Sequence, residues 1–179
     1  MEAGVERQRE TTAFFGVALT EKALAEAGLG RGDDAVCRYQ AAQTLEPRLY
    51  GADLSAFGEA GGLLMRNPWV AAGSVARSGR HAPHPGAGGV TRPEALKRKD
   101  PVFPEYARSV QLQGRVIVET VITETGALRH PVLLDAGPST GFDASVLDAC
   151  CSWRFKPATW EGKPVKVYYT TTINFKIGR

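Results

Sequence analysis

A histidine with two nearby aspartates is the first group in this 179-residue sequence that could do chemistry. His130 is the one histidine of the C-terminal half, and a general base must lie within hydrogen-bond reach of a substrate proton. It falls in a strand pattern, where a histidine is more often a surface residue. Asp143 and Asp148 suit the first turns of a helix better than catalysis. Because no Ser/His/Asp set accompanies them, we predict that the chain is not an enzyme.

Two glycine-rich loops also lack the context that catalytic motifs need. The letters GAGG, at 86–89, do not stand between a strand and a helix, as a phosphate-binding loop would. The letters GPSTG, at 137–141, lack the residues that flank a nucleophile elbow. Neither loop therefore predicts phosphate binding or nucleophilic catalysis.

Cysteine and histidine spacing gives no metal site. Cys37, Cys150 and Cys151 are an odd number with an adjacent pair, which fits neither a disulfide framework nor zinc spacing. We expect buried or incidental thiols. His81 and His84 form an isolated H-x-x-H pair, and a metal needs more ligands in a rigid frame. We therefore predict no metal and no cofactor.

The bulk properties exclude two further classes of function. A net charge of +3 gives no reason to propose nucleic-acid binding. No apolar run approaches the ~20 residues of a membrane span. The start, MEAGVERQRE, is charged and no clean apolar core follows it, so we expect neither a signal peptide nor a membrane anchor in this chain.

The sequence divides into three parts. Residues 1–66 have helical periodicity, and Asp33 or Asp34 could cap a second helix that stops before Pro47. The small–aromatic–small–proline spacing of that helix predicts a tetratricopeptide-like hairpin. One such repeat cannot bury its own face, so either 50–64 supplies further packing or the segment is the remnant of a longer array. Residues 67–100 are rich in Pro, Gly and Ala and predict a flexible linker, leaving 101–179 as the second domain.

The last part predicts two helices and three strands. Pro104 is placed to start a short helix, and RVIVETVIT and LRHPVLLD are strands joined by a Gly-containing hairpin. Pro131 inside the second strand places it at a sheet edge. FDASVLDACCSWRF is a helix with Asp143 as its expected N-cap, and Pro157 ends it. The chain turns at EGK and runs out as one long strand, 164–177.

The last strand separates an apolar face from a polar one. Odd positions from Val165 to Ile177 are apolar except for Thr171, whereas the even positions are polar or aromatic. If this strand pairs with the first one, its outer edge stays open, and no internal proline protects that edge. Either a partner covers the edge, or its function is to be covered.

In their order and spacing these motifs resemble the C-terminal domain of the TonB family. They are PVFPEYAR, GRVIVETVITETGAL, FDASVLDACCSWRFKPA and GKPVKVYYTTTINFKI, and they cover 101–177. The resemblance implies an α+β fold, with a three-stranded antiparallel sheet and two helices behind the N-terminal helical hairpin. It also implies a non-enzymatic energy transducer that captures the extended TonB box of outer-membrane transporters as an added strand. Such proteins couple the proton motive force of an inner-membrane motor complex to the uptake of siderophores and other nutrients.

Residue by residue, the resemblance implies partner binding along the last strand and at the aromatic-proline pair Phe103 and Pro104. The strand residues are Val165, Lys166, Val167, Tyr168, Tyr169, Thr170, Thr171, Thr172, Ile173, Asn174 and Phe175. Trp153 and Phe155 match aromatic positions that we assign to core packing. Arg154 and Lys156 are either rim charges or solvated.

The resemblance also implies a periplasmic or cell-envelope location, and contact with the motor complex only if an anchor exists upstream. The open strand edge permits a homodimer as well. The alternative to energy transduction is an adaptor in which the tetratricopeptide-like and TonB-like parts both bind proteins.

Overall fold

The structure is a computed structural model that describes residues 2–67, 70, 85–86, 88–138 and 140–177, with side chains from Glu10 onward. His81, His84 and most of the predicted linker lie outside these residues. Among the described helices, none combines the length and the apolar character needed to cross a bilayer.

Within its described residues, the N-terminal part has helices α1 (Glu2–Gly28), α2 (Gly32–Leu45) and α3 (Gly58–Arg66). Short 3₁₀ turns at Pro47–Leu49 and Ser55–Phe57 connect the last two. The expected N-caps are wrong, because α2 begins at Gly32 with Arg31 at its N-cap. Asp33 and Asp34 lie in its first turn instead, where their side chains bind arginines of the C-terminal part.

The three N-terminal helices share a small core, to which Leu54 and Val70 outside them also contribute. Its buried residues are Ala23, Leu24, Ala27, Ala35, Val36, Tyr39, Leu54, Leu64 and Val70. Helix α3 and the turn before it therefore supply the packing that an isolated helical hairpin would lack. The tetratricopeptide-like assignment stays a prediction, as does the division into domains.

Among the residues that the structure describes after α3, seven strands and two helices follow. The strands are β1 (Glu94–Lys97), β2 (Gly114–Ile122), β3 (Leu128–Asp135), β4 (Arg154–Lys156), β5 (Ala158–Trp160), β6 (Lys163–Val165) and β7 (Val167–Phe175). The helices are α4 (Glu105–Ser109) and α5 (Phe142–Cys151). Strands β3, β2 and β7 form an antiparallel sheet in that order, whereas β1–β4 and β5–β6 are separate two-stranded pairs. The mixed α+β fold, with N-terminal helices and a C-terminal antiparallel sheet, is as predicted.

Strand β1 lies within the segment where the sequence predicts a flexible linker. It pairs with β4, with Ala95 opposite Phe155, and the segment after it reaches Trp153. The indole Nε1 of Trp153 donates to the Lys99 carbonyl at 2.8 Å, and the Arg98 guanidinium lies 4.6 Å from the centre of the Trp153 ring. Trp153 and Phe155 are buried, which confirms their assignment to the core.

Strand β3 is an edge strand, as Pro131 predicts, and it is bulged there. Glu119 pairs with Val132 and Val121 with Arg129, so His130 and Pro131 together face one residue of β2. His130 takes a φ of 49°, in the left-handed region. Because Pro131 lies in the bulge, its lack of an N–H donor leaves no gap in the hydrogen bonds of the ladder. Strand β2 pairs with β3 on both sides of the bulge.

Helix α5 ends at Cys151, so its predicted continuation to Phe155 is wrong, because Arg154–Lys156 form β4 instead. Its N-cap lies two residues earlier than expected. Gly141, with a φ of 88°, is its N-cap, so the assignment of Asp143 as the cap is wrong. Asp143 is buried inside the first turn. Burial raises the pKa of its carboxyl above the ordinary value, against the lowering effect of a hydrogen bond from the Ala144 N–H.

A disulfide bond joins the N-terminal helices to the C-terminal part. Cys37 in α2 is bonded to Cys151 at the end of α5, 114 residues further on, so the expectation of incidental thiols is wrong for this pair. It holds for Cys150, which is free and buried. Burial raises the pKa of the Cys150 thiol to about 12, so it carries no thiolate at neutral pH.

Ion pairs accompany the disulfide at the same junction. The buried Arg38 of α2 binds Glu26 of α1 and, with its Nε 2.7 Å away, Asp148 of α5. Lys22 of α1 reaches the same carboxylate at 2.7 Å. Asp33 binds Arg129 and Asp34 binds Arg154, so Arg154 is neither a rim charge nor fully solvated. Lys156 is exposed, which agrees with the prediction that it is solvated.

Loss of the disulfide tests how firmly the helices are attached. The bond closes a loop of 114 residues, so Cys37→Ala should lower the free energy of unfolding by about 2–4 kcal/mol. Denaturant unfolding measures this, and dithiothreitol should cause a similar loss in the wild type and none in the variant. Cys150→Ala is the matched control, because its stability should still respond to the reductant. A wild-type protein equally stable with and without reductant would contradict the junction described above.

The ion cluster predicts a loss of stability in acid. Burial alone would raise the pKa of Asp148, but hydrogen bonds and charge from Lys22 and Arg38 outweigh it and hold that pKa below the ordinary value. A carboxyl with a lowered folded pKa stabilises the fold above its unfolded pKa of about 4, and this contribution fades as the pH falls further. Asp148→Asn should therefore have a lower free energy of unfolding than the wild type at neutral pH. The difference between the two proteins should become smaller below about pH 4. If denaturant titrations gave the same difference in free energy of unfolding at every pH, this role for Asp148 would be refuted.

Candidate functional site

Strand β7 forms one edge of the three-stranded sheet. It pairs with β2 in an unbroken antiparallel register, from Val167 opposite Ile122 to Phe175 opposite Gly114. Within the described residues, β2 is the only strand that pairs with it. In an antiparallel strand alternate residues direct their N–H and C=O groups to opposite sides, so about half of the β7 backbone groups point outward.

The side chains of β7 alternate as the sequence predicts. Val167, Thr171 and Phe175 face the core and are buried, whereas Thr170 and Thr172 on the opposite face are exposed. The Thr171 hydroxyl accepts a hydrogen bond of 3.4 Å from Arg98, which lies over the core face of the sheet. Strand β7 is therefore held in place in two ways: by backbone hydrogen bonds to β2 and by the side chains that it buries in the core.

The predicted binding strand is shorter than expected at its start. Glu161 and Gly162 take positive φ angles of 49° and 78° and turn the chain into the β5–β6 hairpin, in which Val165 pairs with Ala158. Lys166 separates this hairpin from β7. Val165 and Lys166 thus lie before the sheet edge rather than on it, and the nine residues from Val167 to Phe175 form the candidate edge.

Phe103 lies at the Phe175 end of this edge. Its ring makes edge-to-face contacts with Phe142 and Phe175, both at 5.5 Å, while those two rings stack at 4.3 Å. Pro104 is the N-cap of α4. The predicted aromatic-proline pair therefore lies next to the last residue of β7. Phe103 is partly buried against it, which gives that residue a structural contact as well.

The opposite edge of the sheet is covered by α2. The His130 N–H donates to the Gln40 side chain at 2.9 Å, and the Thr44 hydroxyl donates to the Pro131 carbonyl at 2.8 Å. Burial, followed by the charge of Arg129, lowers the pKa of His130, so its ring is neutral at neutral pH. His130 thus serves the attachment of a helix to the sheet. Sequence analysis missed this cover, because its partners are about 90 residues apart.

The two edges therefore differ in what they can accept. At β3 a bulge and a docked helix occupy the outward groups, whereas β7 presents a regular ladder of nine residues. An added antiparallel or parallel strand could form about four or five backbone hydrogen bonds with such an edge. This arrangement supports binding of an extended peptide and contains no set of groups arranged for catalysis among the described residues.

Comparison with known proteins finds that the C-terminal part of the chain is similar to TonB proteins. The family model of the Gram-negative bacterial TonB protein C-terminal matches residues 99–177. Protein TonB of Pseudomonas aeruginosa is 37% identical over 82 residues, which are 46% of this chain and 24% of that protein. Protein TonB of Escherichia coli K12 is 33% identical over 72 residues, 40% of this chain and 28% of that protein.

A solved structure also matches. It is the solution NMR structure of the Pseudomonas aeruginosa TonB C-terminal domain, 31% identical, with a TM-score of 0.45, and the match covers 55% of this chain and 97% of that one. The chain spans only about a quarter to a third of the length of the curated relatives it matches.

Truncating Phe103 tests whether its ring fixes the end of β7. Phe103→Ala removes two ring contacts and should lower the free energy of unfolding by about 3 kcal/mol. Phe14→Ala is the matched control, because that ring is 70% exposed and its loss should change stability by less than about 0.5 kcal/mol. If both variants proved equally stable in denaturant titrations, Phe103 would have no structural part at this edge.

Proposed function

We propose, because residues 99–177 match the family model of the TonB protein C-terminal, that the chain is a TonB-family protein and that this domain captures an extended segment of an outer-membrane transporter on strand β7. The segment, a TonB box, would add to the sheet as a fourth strand. The family is one of binding proteins and energy transducers rather than enzymes. Binding an extended peptide needs mainly backbone hydrogen-bonding groups, and these are what the edge of β7 offers.

One observation carries this proposal: among the described residues no strand pairs with the outer side of β7, whereas α2 covers β3. Long open edges are normally suppressed, because they pair with other chains. Here β3 carries a bulge, a proline and a docked helix, and β7 carries none of these as far as the described part of the chain shows. This asymmetry supports strand addition at a single defined place, with Thr170 and Thr172 available to contact side chains of the added strand.

The wider part of the proposal concerns energy transduction. In the full protein, the captured segment would be linked to an inner-membrane motor complex and to nutrient uptake, including siderophores. The bond between Cys37 and Cys151 supports a periplasmic location, because disulfides persist in oxidising compartments and are rare in the cytosol. A strand loaded along its length resists separation through all of its hydrogen bonds together, which suits a pulling linkage.

Amide hydrogen exchange with a transporter-derived TonB-box peptide tests strand capture. In the free protein, amides of β7 that bond to β2 should be protected and the alternate, outward amides should exchange faster. The peptide should slow the second set between Val167 and Phe175. The amides of β3 are the internal control and should not change, because α2 covers that edge.

Prolines in the peptide provide the matching control. Proline lacks the N–H donor, so substitutions at successive peptide positions should weaken binding in alternation. The titration is run at concentrations where the protein sediments as a monomer, since a second copy could occupy the same edge. Uniform weakening, or slowed exchange at β3 instead of β7, would refute addition at this edge.

A further inference from the structure

A second surface with binding potential lies between the N-terminal helices and the C-terminal domain. Helices α1 and α5 run side by side, since Phe15 lies against Gly141 at the start of α5 and Lys22 binds Asp148 further along. The segment 97–104 crosses beside them, held where Ser145 donates to the Val102 carbonyl. Together they enclose an open groove of about 660 Å³. This volume lies within the range of about 300–1,000 Å³ that small-molecule sites occupy.

The lining of this groove is apolar at one end and charged at the other. The apolar end surrounds the start of α5 and comprises Phe15, Ala18, Leu19, Val102, Pro104, Gly141 and Ala144. The charged end lies toward Lys22 and the end of α1 and comprises Lys22, Glu26, Arg31, Asp34, Arg38, Lys97, Lys99, Asp100, Asp148 and Arg154. The two ends follow from the sequence of α1, whose lining residues change from apolar to charged between Leu19 and Lys22.

Basic groups are in excess at the charged end, six against four acidic groups. Three of the four acidic groups are already engaged, because Glu26 and Asp148 hold Arg38 and Asp34 holds Arg154. The fourth, Asp100, follows Lys99 in the chain. Lys97 and Lys99 are exposed and form no ion pair within the described residues. The groove therefore has an apolar lining at one end and, with Asp100 counted, a net excess of two positive charges at the other.

We infer that this groove binds a small amphiphilic anion, with an unbranched apolar chain along Phe15, Ala18 and Ala144 and an anionic head near Lys97 and Lys99. The separation of apolar and charged linings along one axis is what such a molecule matches. From Phe15 to Glu26 helix α1 rises by ~16 Å, which is enough for a medium-length chain and its head group. The head group is an anion that accepts hydrogen bonds from lysine ammonium groups. A carboxylate and a phosphate both have this property. This site uses none of the outward backbone groups of β7.

Binding of decanoate, decyl phosphate and decanol to the full chain tests the inference. Calorimetry gives the affinities and amide chemical shifts give the location. One of the two anions should bind at a single site, at least about tenfold more tightly than decanol, because a charge-assisted hydrogen bond adds roughly that factor. Shifts should concentrate on α1, α5 and 97–104, and the stronger of the two anions identifies the head group.

Two variants separate the ends of the site. Lys97→Gln with Lys99→Gln should weaken the anion by about tenfold or more and leave decanol unchanged. Lys156→Gln with Lys163→Gln is the matched control, since it removes the same charge from exposed positions outside the groove. Ala18→Trp places a large ring in the apolar end and should abolish binding of all three probes, while circular dichroism confirms the fold.

Three outcomes would overturn the inference. They are no binding by either anion, equal affinity for the anions and decanol, and unchanged binding in Ala18→Trp. The inference would also be overturned if the control variant lost as much affinity as the variant at Lys97 and Lys99. The electrostatic attraction would then come from the overall charge of the protein rather than from the groove.

Discussion

The backbone ladder between β2 and β7 is the interaction on which the candidate binding edge depends. Nine consecutive pairs without a bulge hold β7 straight, and its odd-numbered side chains lie in the core behind it. Phe103, Phe142 and Phe175 fix its far end with three ring contacts. An edge with these supports is already in the conformation that an added strand requires, so little ordering entropy opposes pairing on the protein side.

The N-terminal helices contribute to the same outcome from the other side of the sheet. The disulfide, the buried Arg38 cluster and the bonds from Gln40 and Thr44 dock α2 against β3 and α5. This docking covers the second edge at His130 and Pro131, so β7 is the edge of the described sheet at which we expect a strand to be added. It also creates the groove beside α1, which exists only while the two parts of the chain stay together.

The sequence predicted the features that arise from local signals. Alternation of apolar residues located β2, β3 and β7, the Gly-containing turn located the β2–β3 hairpin, and Pro131 identified the edge strand. Features that depend on distant contacts were missed. The bond between Cys37 and Cys151 spans 114 residues, and no local pattern in either helix indicates which thiol it meets.

The candidate site shows the same limit. Its core-facing and outward residues follow from the period of two, but its start does not. The alternating pattern continues through Val165 and Lys166, although the tight turn at Glu161 and Gly162 first pairs Val165 with Ala158. Two strands in series have the same periodicity as one long strand, and only the pairing partners distinguish them. Likewise, the cover over β3 requires knowing that α2 packs there.

Intermolecular nuclear Overhauser effects between the labelled protein and an unlabelled TonB-box peptide give the most direct evidence on strand capture. If β7 accepts the peptide, contacts should run along Val167 to Phe175 in a single register, with the spacing between backbone protons that neighbouring strands show. Contacts confined to the α1–α5 groove or to the helices, with none along β7, would contradict binding by strand addition.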